Sequence, residues 1–332
     1  MEIYTLFLLS EPKHGGCSRL AEILGDVSHD SVNRFLLRER YEAKDLFDIV
    51  TGIVNKDGGI LSVDDTVIEK LYSNPKYAEL ISYFWSGKYH KTIKGLNLIT
   101  LYYSDIHGHC VPINYRIYDK QEKKTKNHYF QDMVLEVISW GLKPRIVTGD
   151  SWYSGVENLK FLRNQKLGFL FGVEKNRTVS NKPGKYCQVS TLDIPDEGLI
   201  THLREFGFIK LFRKDFKKED SRHYIFYLPT DENLKEYLEQ IARSTFVTIH
   251  DTHWGIETFH RAVKQLCGIC RFMVRDSDAI KTHIFCSLQA FVRLEKMRSE
   301  KIIGNWYEVQ RNLFTNVIRE YVLENLSATC GA

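Results

Sequence analysis

Acidic side chains at separated positions are the residues of this sequence that are best suited to chemistry. Asp64 and Asp65 end one apolar run, Asp150 ends another, and Glu257 lies in a later helical segment. Carboxylates that gather in a partly buried pocket repel one another, so they need a cation. Oxygen ligands favour Mg²⁺ or Mn²⁺, and two such ions can stabilise the attacking and leaving oxygens of a phosphoryl displacement. If these acids converge, they form a centre for phosphoryl transfer.

The elements around these acids predict a topology that would bring them together. In chain order the pattern predicts strands at 59–66, 96–105 and 110–119, then a helix at 128–141, a strand at 144–150, a helix at 157–165 and a strand at 168–175. Three strands that can run antiparallel, followed by βαβ crossovers, are the order of a ribonuclease-H-like α/β fold with a mixed five-stranded sheet and flanking helices. The first and fourth strands are adjacent in such a sheet. We therefore expect Asp65 and Asp150 at one edge, with the helix of Glu257 packed across it.

The rest of the chain divides around this core. Residues 1–55 read as helices, and two short amphipathic helices around Gly25 are compatible with a helix-turn-helix or with any small helical hairpin. In the second of them Arg34 is a candidate DNA contact. The core is predicted at 56–175 and 249–300, interrupted by a β-rich insertion at 176–248 and followed by a helical tail at 301–332.

Composition excludes several classes of protein. The 332 residues are 43% hydrophobic and 27% charged, carry a net charge of +4, and include only 7 prolines, which excludes general disorder. No apolar run reaches the ~20 residues that a membrane helix needs, and the amino-terminal residues lack the pattern of a secretory signal. The 7 irregularly spaced cysteines suit a reducing compartment. We expect a soluble cytoplasmic protein with no membrane partner.

Several segments resemble the signature blocks of DDE transposases from insertion sequences of the IS4/IS701 type. The blocks are VDDTVIEK (63–70), TGDSWYSGVENLKFLR (148–163), HWGIETFHRAVKQ (253–265), SHDSVNRFL (28–36) and VRDSDAIKTHIFCSLQAFVRLEKMR (274–298). The resemblance covers nearly the whole chain. It implies a ribonuclease-H-like catalytic core with a β-rich insertion before the glutamate. It also implies Mg²⁺-dependent cleavage and strand transfer of DNA at the terminal inverted repeats of a mobile element.

The resemblance assigns the catalytic, metal-binding acids. Asp65, Asp150 and Glu257 match the triad, which would bind two Mg²⁺ or Mn²⁺ ions. Asp64 is the rival of Asp65, because side chains alternate across a strand and only one of the two can face the metals. Asp65 is preferred because the family's acid directly precedes the threonine.

The helical block also implies contacts to DNA. Glu257 and Lys264 reproduce an E-x6-K pattern, in which the lysine lies ~10 Å along the helix from the glutamate and meets a phosphate. His260 and Arg261 follow Glu257 at i+3 and i+4, so they share its face. These three basic residues are predicted to bind DNA.

Two further pairs extend the predicted DNA interface. His250 and His253 stand where the broader IS4 signature has a tyrosine and an arginine, which leaves open whether excision passes through a DNA hairpin; His253 is a predicted phosphate contact. Trp152 and Tyr153 lie two and three residues after Asp150, and either stack on a flipped base or form an aromatic pair in the core.

The implied partners are double-stranded DNA, both as terminal inverted repeats and as target, and a second copy of the chain. Two element ends must be cut together, so a homodimer acting on DNA in a prokaryotic cytoplasm, at the nucleoid, is expected. Two alternatives share the acids: a nuclease that cuts without joining, and an inactive DNA-binding relic. A third is a zinc site, because Cys267, Cys270, His283 and Cys286 have a C-x2-C-x12-H-x2-C spacing.

Overall fold

The computed structural model describes residues 1–13, 15–87, 89–182, 184–216 and 220–330. The chain forms two compact units. The first comprises residues 1–46, 67–97 and 259–332, and the second comprises residues 47–66 and 98–258.

The bounds of the elements follow the chain. The helices are α1 (Glu2–Ser10), α2 (Cys17–Leu24), α3 (His29–Arg38), α4 (Ala43–Val50), α5 (Lys126–Ser139), α6 (Val156–Asn164), α7 (Leu234–Gln240), α8 (Arg243–Gln265), α9 (Ser277–Ser299) and α10 (Glu308–Cys330). The strands are β1 (Ile60–Glu69), β2 (Ser82–Ser86), β3 (Lys91–Ser104), β4 (Cys110–Ile117), β5 (Ile146–Gly149), β6 (Gly168–Val173), β7 (Thr178–Lys182), β8 (Lys185–Gln188), β9 (Leu199–Leu203), β10 (Gly207–Asp215) and β11 (Ser221–Tyr227).

The amino-terminal helices pack in the first unit on the long helix α9. Gly25 ends α2 with a φ of +77°, a conformation that favours glycine, and the Ser28 side chain accepts a hydrogen bond from the Ser31 backbone at the start of α3. The apolar faces meet in a core that contains Tyr4, Phe7, Leu8, Leu20, Val32, Leu36, Ala279 and Cys286. The predicted helical hairpin is therefore present, joined to α1 and α9.

The sheet of the second unit contains the predicted five-strand order. Its strands run β4-β3-β1-β5-β6, with β1, β5 and β6 parallel and β3 and β4 antiparallel. The sheet is longer than the five strands expected. Strand β11 pairs with β6 antiparallel, and the order continues through β10, β9, β7 and β8. The strands of residues 176–248 thus extend the core sheet. Strand β6 would otherwise be an edge strand with open hydrogen-bonding groups, and β11 pairs with it.

Helix α8 begins earlier than the sequence predicts. The sequence predicts that the core resumes at residue 249, but the helix already begins at Arg243. Phe246 and Ile249 explain the difference, because they bury against Leu170 and Phe226 of the sheet and extend the apolar stripe of the helix. Glu257 therefore lies in the fourth turn of a long helix rather than near its start.

Among the described helices, none combines the length and the apolar character that a membrane crossing requires.

Candidate active site

The carboxyl ends of three parallel strands meet at one edge of the second unit's sheet. Val63 of β1 lies opposite Gly149 of β5, and Gly149 lies opposite Phe171 of β6. Asp64, Asp150 and Glu174 each follow this row within one to three residues. The chain therefore gathers carboxylates at this edge, as the strand order predicts.

One face of this edge is covered by α5. A Cβ atom added to Gly149 would lie 2.7 Å from Val63 Cγ1 and 2.8 Å from Phe171 Cε1, so all three residues point to the same face. The Phe171 ring meets the ring of Phe130, on α5, at a centroid distance of 6.4 Å. Because side chains alternate along β1, Asp65 lies on this face with Val63.

The contacts of Asp65 agree with that placement. Lys126 Nζ, at the first residue of α5, donates to Asp65 Oδ2 at 2.7 Å, and the Tyr153 hydroxyl donates to Asp65 Oδ1 at 3.4 Å. The two charged side chains are only 17% and 20% exposed. Asp65 is thus a half-buried carboxylate that already has a cationic partner.

The opposite face is covered by α8. Ile60 of β1 and Ile146 of β5 pack with Phe246 and Ile249, which are residues of α8. Alternation along β1 places Asp64 on this face with Ile60. The two neighbouring aspartates therefore belong to different faces, and Asp64 shares a face with the helix that contains Glu257.

Asp150 is the acid whose titration the fold alters most at this edge. The side chain is exposed at the rim of a cleft, but its pKa is raised to about 7. Desolvation of the carboxyl group by the surrounding protein atoms is the largest cause, followed by the charges of Asp64 and Asp65, whereas the hydrogen bond from the Trp152 backbone and the charge of Lys126 act in the opposite direction. These acids are close enough to repel one another.

Asp150 and Glu257 line the same cleft, which has a volume of about 480 Å³. His250, His253 and Trp254 line it as well, and they precede Glu257 by seven, four and three residues. That spacing puts all four residues of α8 on one helical face. The helix thus presents its glutamate and an aromatic, imidazole-rich stripe to the cleft that contains Asp150.

His250 is held in place by neighbours from the extended sheet. Lys214 Nζ donates to His250 Nδ1 at 2.9 Å, and Nε2 lies 3.1 Å from the Tyr224 hydroxyl. The carboxylate of Asp251 lies on the same side of the ring, with Oδ1 3.0 Å from Nδ1, and it also accepts from Lys214 Nζ at 3.2 Å. Burial lowers the pKa of His250, which is consistent with a neutral ring. His250 is therefore tied to β10 and β11 through both nitrogens.

The acids do not form a closed metal cage. Within the described residues, no group of three His, Cys, Asp or Glu side chains has the geometry to hold a metal ion. The donor set is nonetheless chemically suitable, because a carboxylate such as Asp150, whose pKa is raised beside other acids, is stabilised by a divalent cation.

The two aromatic residues after Asp150 have different environments. The Trp152 side chain is 63% exposed, so it is available to a ligand. Tyr153 is 0% exposed and its ring packs against Phe130 at 5.4 Å. The expectation that Tyr153 stacks on a base is corrected here, because its ring is enclosed in the core.

The remaining predicted DNA contacts belong to the first unit. Arg34 is exposed on α3 and donates to Ser31 Oγ at 3.1 Å. Near the end of α8, Arg261 is exposed and Lys264 is partly exposed, whereas His260 is only 4% exposed. The buried ring of His260 contacts the ring of Phe259, so it does not present a nitrogen to solvent, contrary to the expectation from its helical position.

Three residues near the acids escaped sequence analysis. Glu174 follows β6, and its Oε1 accepts a 2.5 Å hydrogen bond from Ser151 Oγ. The rule that selected Asp150, an acid at the end of a buried strand, also applies to Glu174. Trp254 could have been found as an aromatic residue one turn before Glu257. Lys126 had no signal, because its partner Asp65 is 61 residues away.

The cysteine and histidine set has the environment of a core rather than of a metal site. Tyr4 Oη donates to His283 Nδ1 at 2.8 Å, and His283 Nε2 donates to the Gly268 carbonyl at 3.1 Å. Both ring nitrogens are therefore engaged. Cys267 and Cys286 are fully buried, and burial raises the pKa of both thiols, to about 12 for Cys286.

Comparisons with known proteins are consistent with the fold and with the acids at this sheet edge. A family model described as "Transposase DDE domain" matches residues 55–291. Among solved structures, the chain is similar to the piggyBac transposase in a synaptic complex with hairpin DNA, with a TM-score of 0.53, 14% identity, and coverage of 98% of this chain and 71% of that chain. A Drosophila P element transposase strand transfer complex matches with a TM-score of 0.30, 9% identity, and coverage of 56% and 46%. No curated protein matches the chain in sequence.

Proposed function

Because this chain belongs to the transposase DDE-domain family, we propose that the cleft lined by Asp150 and Glu257 is where it cleaves and joins DNA strands. The family model covers most of the chain and makes it a DDE transposase, an enzyme of DNA transposition. The observation that carries the assignment is that Asp150 and Glu257 line one cleft, while Asp64 and Asp65 lie close enough to Asp150 for their charges to raise its pKa. This accumulation of carboxylates gives the cleft a need for cations.

Asp150 and Glu257 are two members of the proposed catalytic acid set, and Asp64 or Asp65 is the third. The family resemblance favours Asp65. The sheet favours Asp64, because Asp64 shares the α8 face, whereas Asp65 pairs with Lys126 on the α5 face. We take Asp64 as the better candidate for a metal ligand, with Asp65 as the rival.

DDE transposases use divalent metal ions, and we propose two Mg²⁺ or Mn²⁺ ions for this chain. Asp150, Glu257 and the β1 aspartate would hold them. When bound, such ions stabilise the charge on the attacking and leaving oxygens of a phosphoryl displacement. The side chains that line the cleft would orient the DNA strand.

DNA contacts around the cleft come from α8 and from the turn after β5. His253 lines the cleft and is proposed to bind a phosphate, and the exposed Trp152 is proposed to stack on a base. Elsewhere Arg261, Lys264 and Arg34 are proposed phosphate contacts, because cationic side chains supply most of the affinity for the DNA backbone.

The proposed substrates are the terminal inverted repeats of an insertion sequence of the IS4/IS701 type, followed by target DNA. The piggyBac transposase to which the chain is similar was solved in a synaptic complex with hairpin DNA, which supports a DNA partner for this chain. A homodimer is proposed because two ends must be cut in one reaction. A prokaryotic cytoplasm is the proposed place of action.

The test uses the full chain and a DNA duplex that carries the repeats flanking its gene. Glu257→Gln and Asp150→Asn keep the side-chain shape but weaken cation binding, so each is expected to lower Mg²⁺-dependent cleavage by at least about 10³-fold. DNA-end affinity, measured by gel shift in Ca²⁺, should change by less than about threefold.

Glu157→Gln is the matched control. Glu157 lies on α6, pairs with Lys160 and is 81% exposed, so its variant should cleave at the wild-type rate. Cleavage by Glu257→Gln at the control rate would contradict the proposed site. Cleavage without any joined product on target DNA would instead favour a nuclease, and binding without cleavage by the wild type would favour an inactive relic.

A further inference from the structure

The turn that follows Asp150 is held from the α5 side of the sheet by a polar network. We propose that Lys126, through its ion pair with Asp65, is a positioning residue that fixes this turn and thereby places Asp150 and Trp152 for DNA cleavage. This inference rests on the proposed function of the cleft. It gives Asp65 a task different from metal binding.

Tyr153 is the centre of the network. Its hydroxyl donates to Asp65 Oδ1 at 3.4 Å, and its backbone carbonyl accepts a hydrogen bond from Asn158 Nδ2 at 3.1 Å. Its ring is buried against Phe130. The residue three positions after Asp150 is thus fixed at its side-chain end, at its backbone and along its ring.

Asn158 connects this turn to two helices. Its side chain on α6 is buried, and Nδ2 also donates to Asn127 Oδ1 at 3.0 Å. Its Oδ1 accepts from Gln131 Nε2 at 2.8 Å. A buried amide with its polar atoms all bonded specifies one arrangement of its neighbours. The first turn of α5 and the start of α6 are therefore locked to Tyr153.

Lys126 completes the arrangement from the amino-terminal residue of α5. The helix start is itself fixed by a capping box between Thr125 and His128. Lys126 Nζ lies 2.7 Å from Asp65 Oδ2 and 5.6 Å from the centre of the Trp152 ring. One ammonium group thus contacts a half-buried carboxylate and the face of the exposed indole.

Loss of this ammonium would leave a poorly solvated carboxylate beside other acids. Asp65 is 17% exposed, and its charge already acts on Asp150. An unpaired, half-buried charge is costly, so Asp65 would rotate toward solvent, away from Asp150. That movement would release the Tyr153 hydroxyl. The Asp150 side chain accepts a hydrogen bond from the Trp152 backbone N–H at 3.0 Å, so its position depends on this turn. Without the network the turn would no longer be fixed.

The experiment compares Lys126→Met, Lys126→Arg and the control Lys124→Met in the full chain. Lys124 pairs with Asp132 on the surface of α5, where the two side chains are 49% and 45% exposed. Two quantities are measured: the single-turnover rate of Mg²⁺-dependent cleavage at saturating DNA, and amide hydrogen exchange in a peptide spanning residues 150–155. The second quantity does not depend on catalysis.

Lys126→Met is expected to lower the cleavage rate by about 10- to 100-fold, because a small misplacement of reacting groups has effects of that size. DNA-end affinity should change by less than about threefold, and exchange in residues 150–155 should accelerate at least about tenfold. Lys126→Arg should recover most of the rate, and Lys124→Met should match the wild type in both measurements.

Other results would overturn the inference. Normal cleavage by Lys126→Met would do so, and so would a loss confined to DNA affinity, which would make Lys126 a phosphate contact. Unchanged exchange would show that the turn does not depend on the ion pair. Failure of the proposed function would give a different result, because the wild type would then cleave no DNA. Amide hydrogen exchange of residues 150–155 in the Lys126→Met variant would still report on the turn.

Discussion

Two sets of potential metal ligands in this chain differ in what the fold does with them. In the second unit, Asp150 remains at the rim of a cleft with its pKa raised to about 7 by desolvation and by neighbouring aspartates. In the first unit, His283 and the nearby thiols lie in a core. There both imidazole nitrogens are bonded, and burial lowers the pKa of His283 to about 3.

The difference teaches that ligand spacing alone does not identify a metal site. The C-x2-C-x12-H-x2-C pattern looks like a zinc motif, but zinc needs a thiolate and a free imidazole nitrogen, and the fold disfavours both. The acids have irregular spacing in sequence. They converge because parallel strands end at one edge of the sheet. At that edge Lys126 only partly balances the negative charges around Asp150.

Removal of divalent cations gives the largest expected difference between the two sets. Chelation with EDTA should abolish DNA cleavage, because the acid cleft depends on cations, and added Mg²⁺ should restore it. The same treatment should shift the thermal midpoint by less than about 2 °C, because the bonded imidazole and buried thiols of the cysteine and histidine core disfavour a structural metal. One equivalent of zinc in the purified protein, measured by mass spectrometry, would break the comparison.

The two adjacent aspartates of β1 provide the next largest effect. Asp64→Asn should reduce the Mg²⁺-dependent cleavage rate by at least about 10³-fold, because Asp64 shares the α8 face with the proposed ligands. Asp65→Asn should reduce it by only about tenfold, because it removes the partner of Lys126. Both rates come from single-turnover assays at saturating Mg²⁺. The opposite order would make Asp65 the metal ligand, as the family resemblance suggests.

Much of the fold follows from patterns that the sequence displays openly. Apolar runs predict the core strands β1, β5 and β6, and the strands predicted at 96–105 and 110–119 form the β3–β4 hairpin. The helical hairpin predicted around Gly25 is present as α2 and α3. These features depend on residues that are near one another in the chain, so local chemistry is sufficient to predict them.

The parts that sequence analysis missed depend on distant partners. Nothing local distinguishes Trp152, which is exposed, from its neighbour Tyr153, which is buried against α5. His260 shares a helical turn with Glu257, yet the packing of α8 encloses its ring. The ion pair of Lys126 with Asp65 joins residues from two elements. The chosen metal ligands, the DNA contacts and the domain boundaries stay predictions.

The pH dependence of stability tests whether His283 is buried and neutral, as expected for a core residue. Its pKa is lowered by burial from 6.5 to about 3, so below pH 6.5 the unfolded chain binds a proton there that the folded chain does not. Stability is therefore lost as the pH falls. Between pH 6.5 and 4.5 this residue should account for about 2 kcal/mol of the loss in the free energy of unfolding.

Urea unfolding at the two pH values measures this contribution. In His283→Gln the loss of stability between them should be smaller than in the wild type by that amount. The control His107→Gln replaces an exposed histidine of the β3–β4 loop and should keep the wild-type loss. An equal loss in both variants would show that His283 is accessible to protons in the folded protein, which a ligating or exposed histidine would be.

The smallest expected effect comes from the hydroxyl group of Tyr4. Tyr4→Phe removes the donor to His283 Nδ1 and leaves a buried acceptor without a partner, which should lower the free energy of unfolding by about 1 kcal/mol. Tyr77→Phe, at a side chain that is 61% exposed, should leave the stability unchanged. DNA cleavage at 25 °C should be normal in both variants, because the bond lies in the core of the first unit. A gain of bound zinc in Tyr4→Phe would instead show that this hydrogen bond is what keeps the cysteine and histidine set from binding metal.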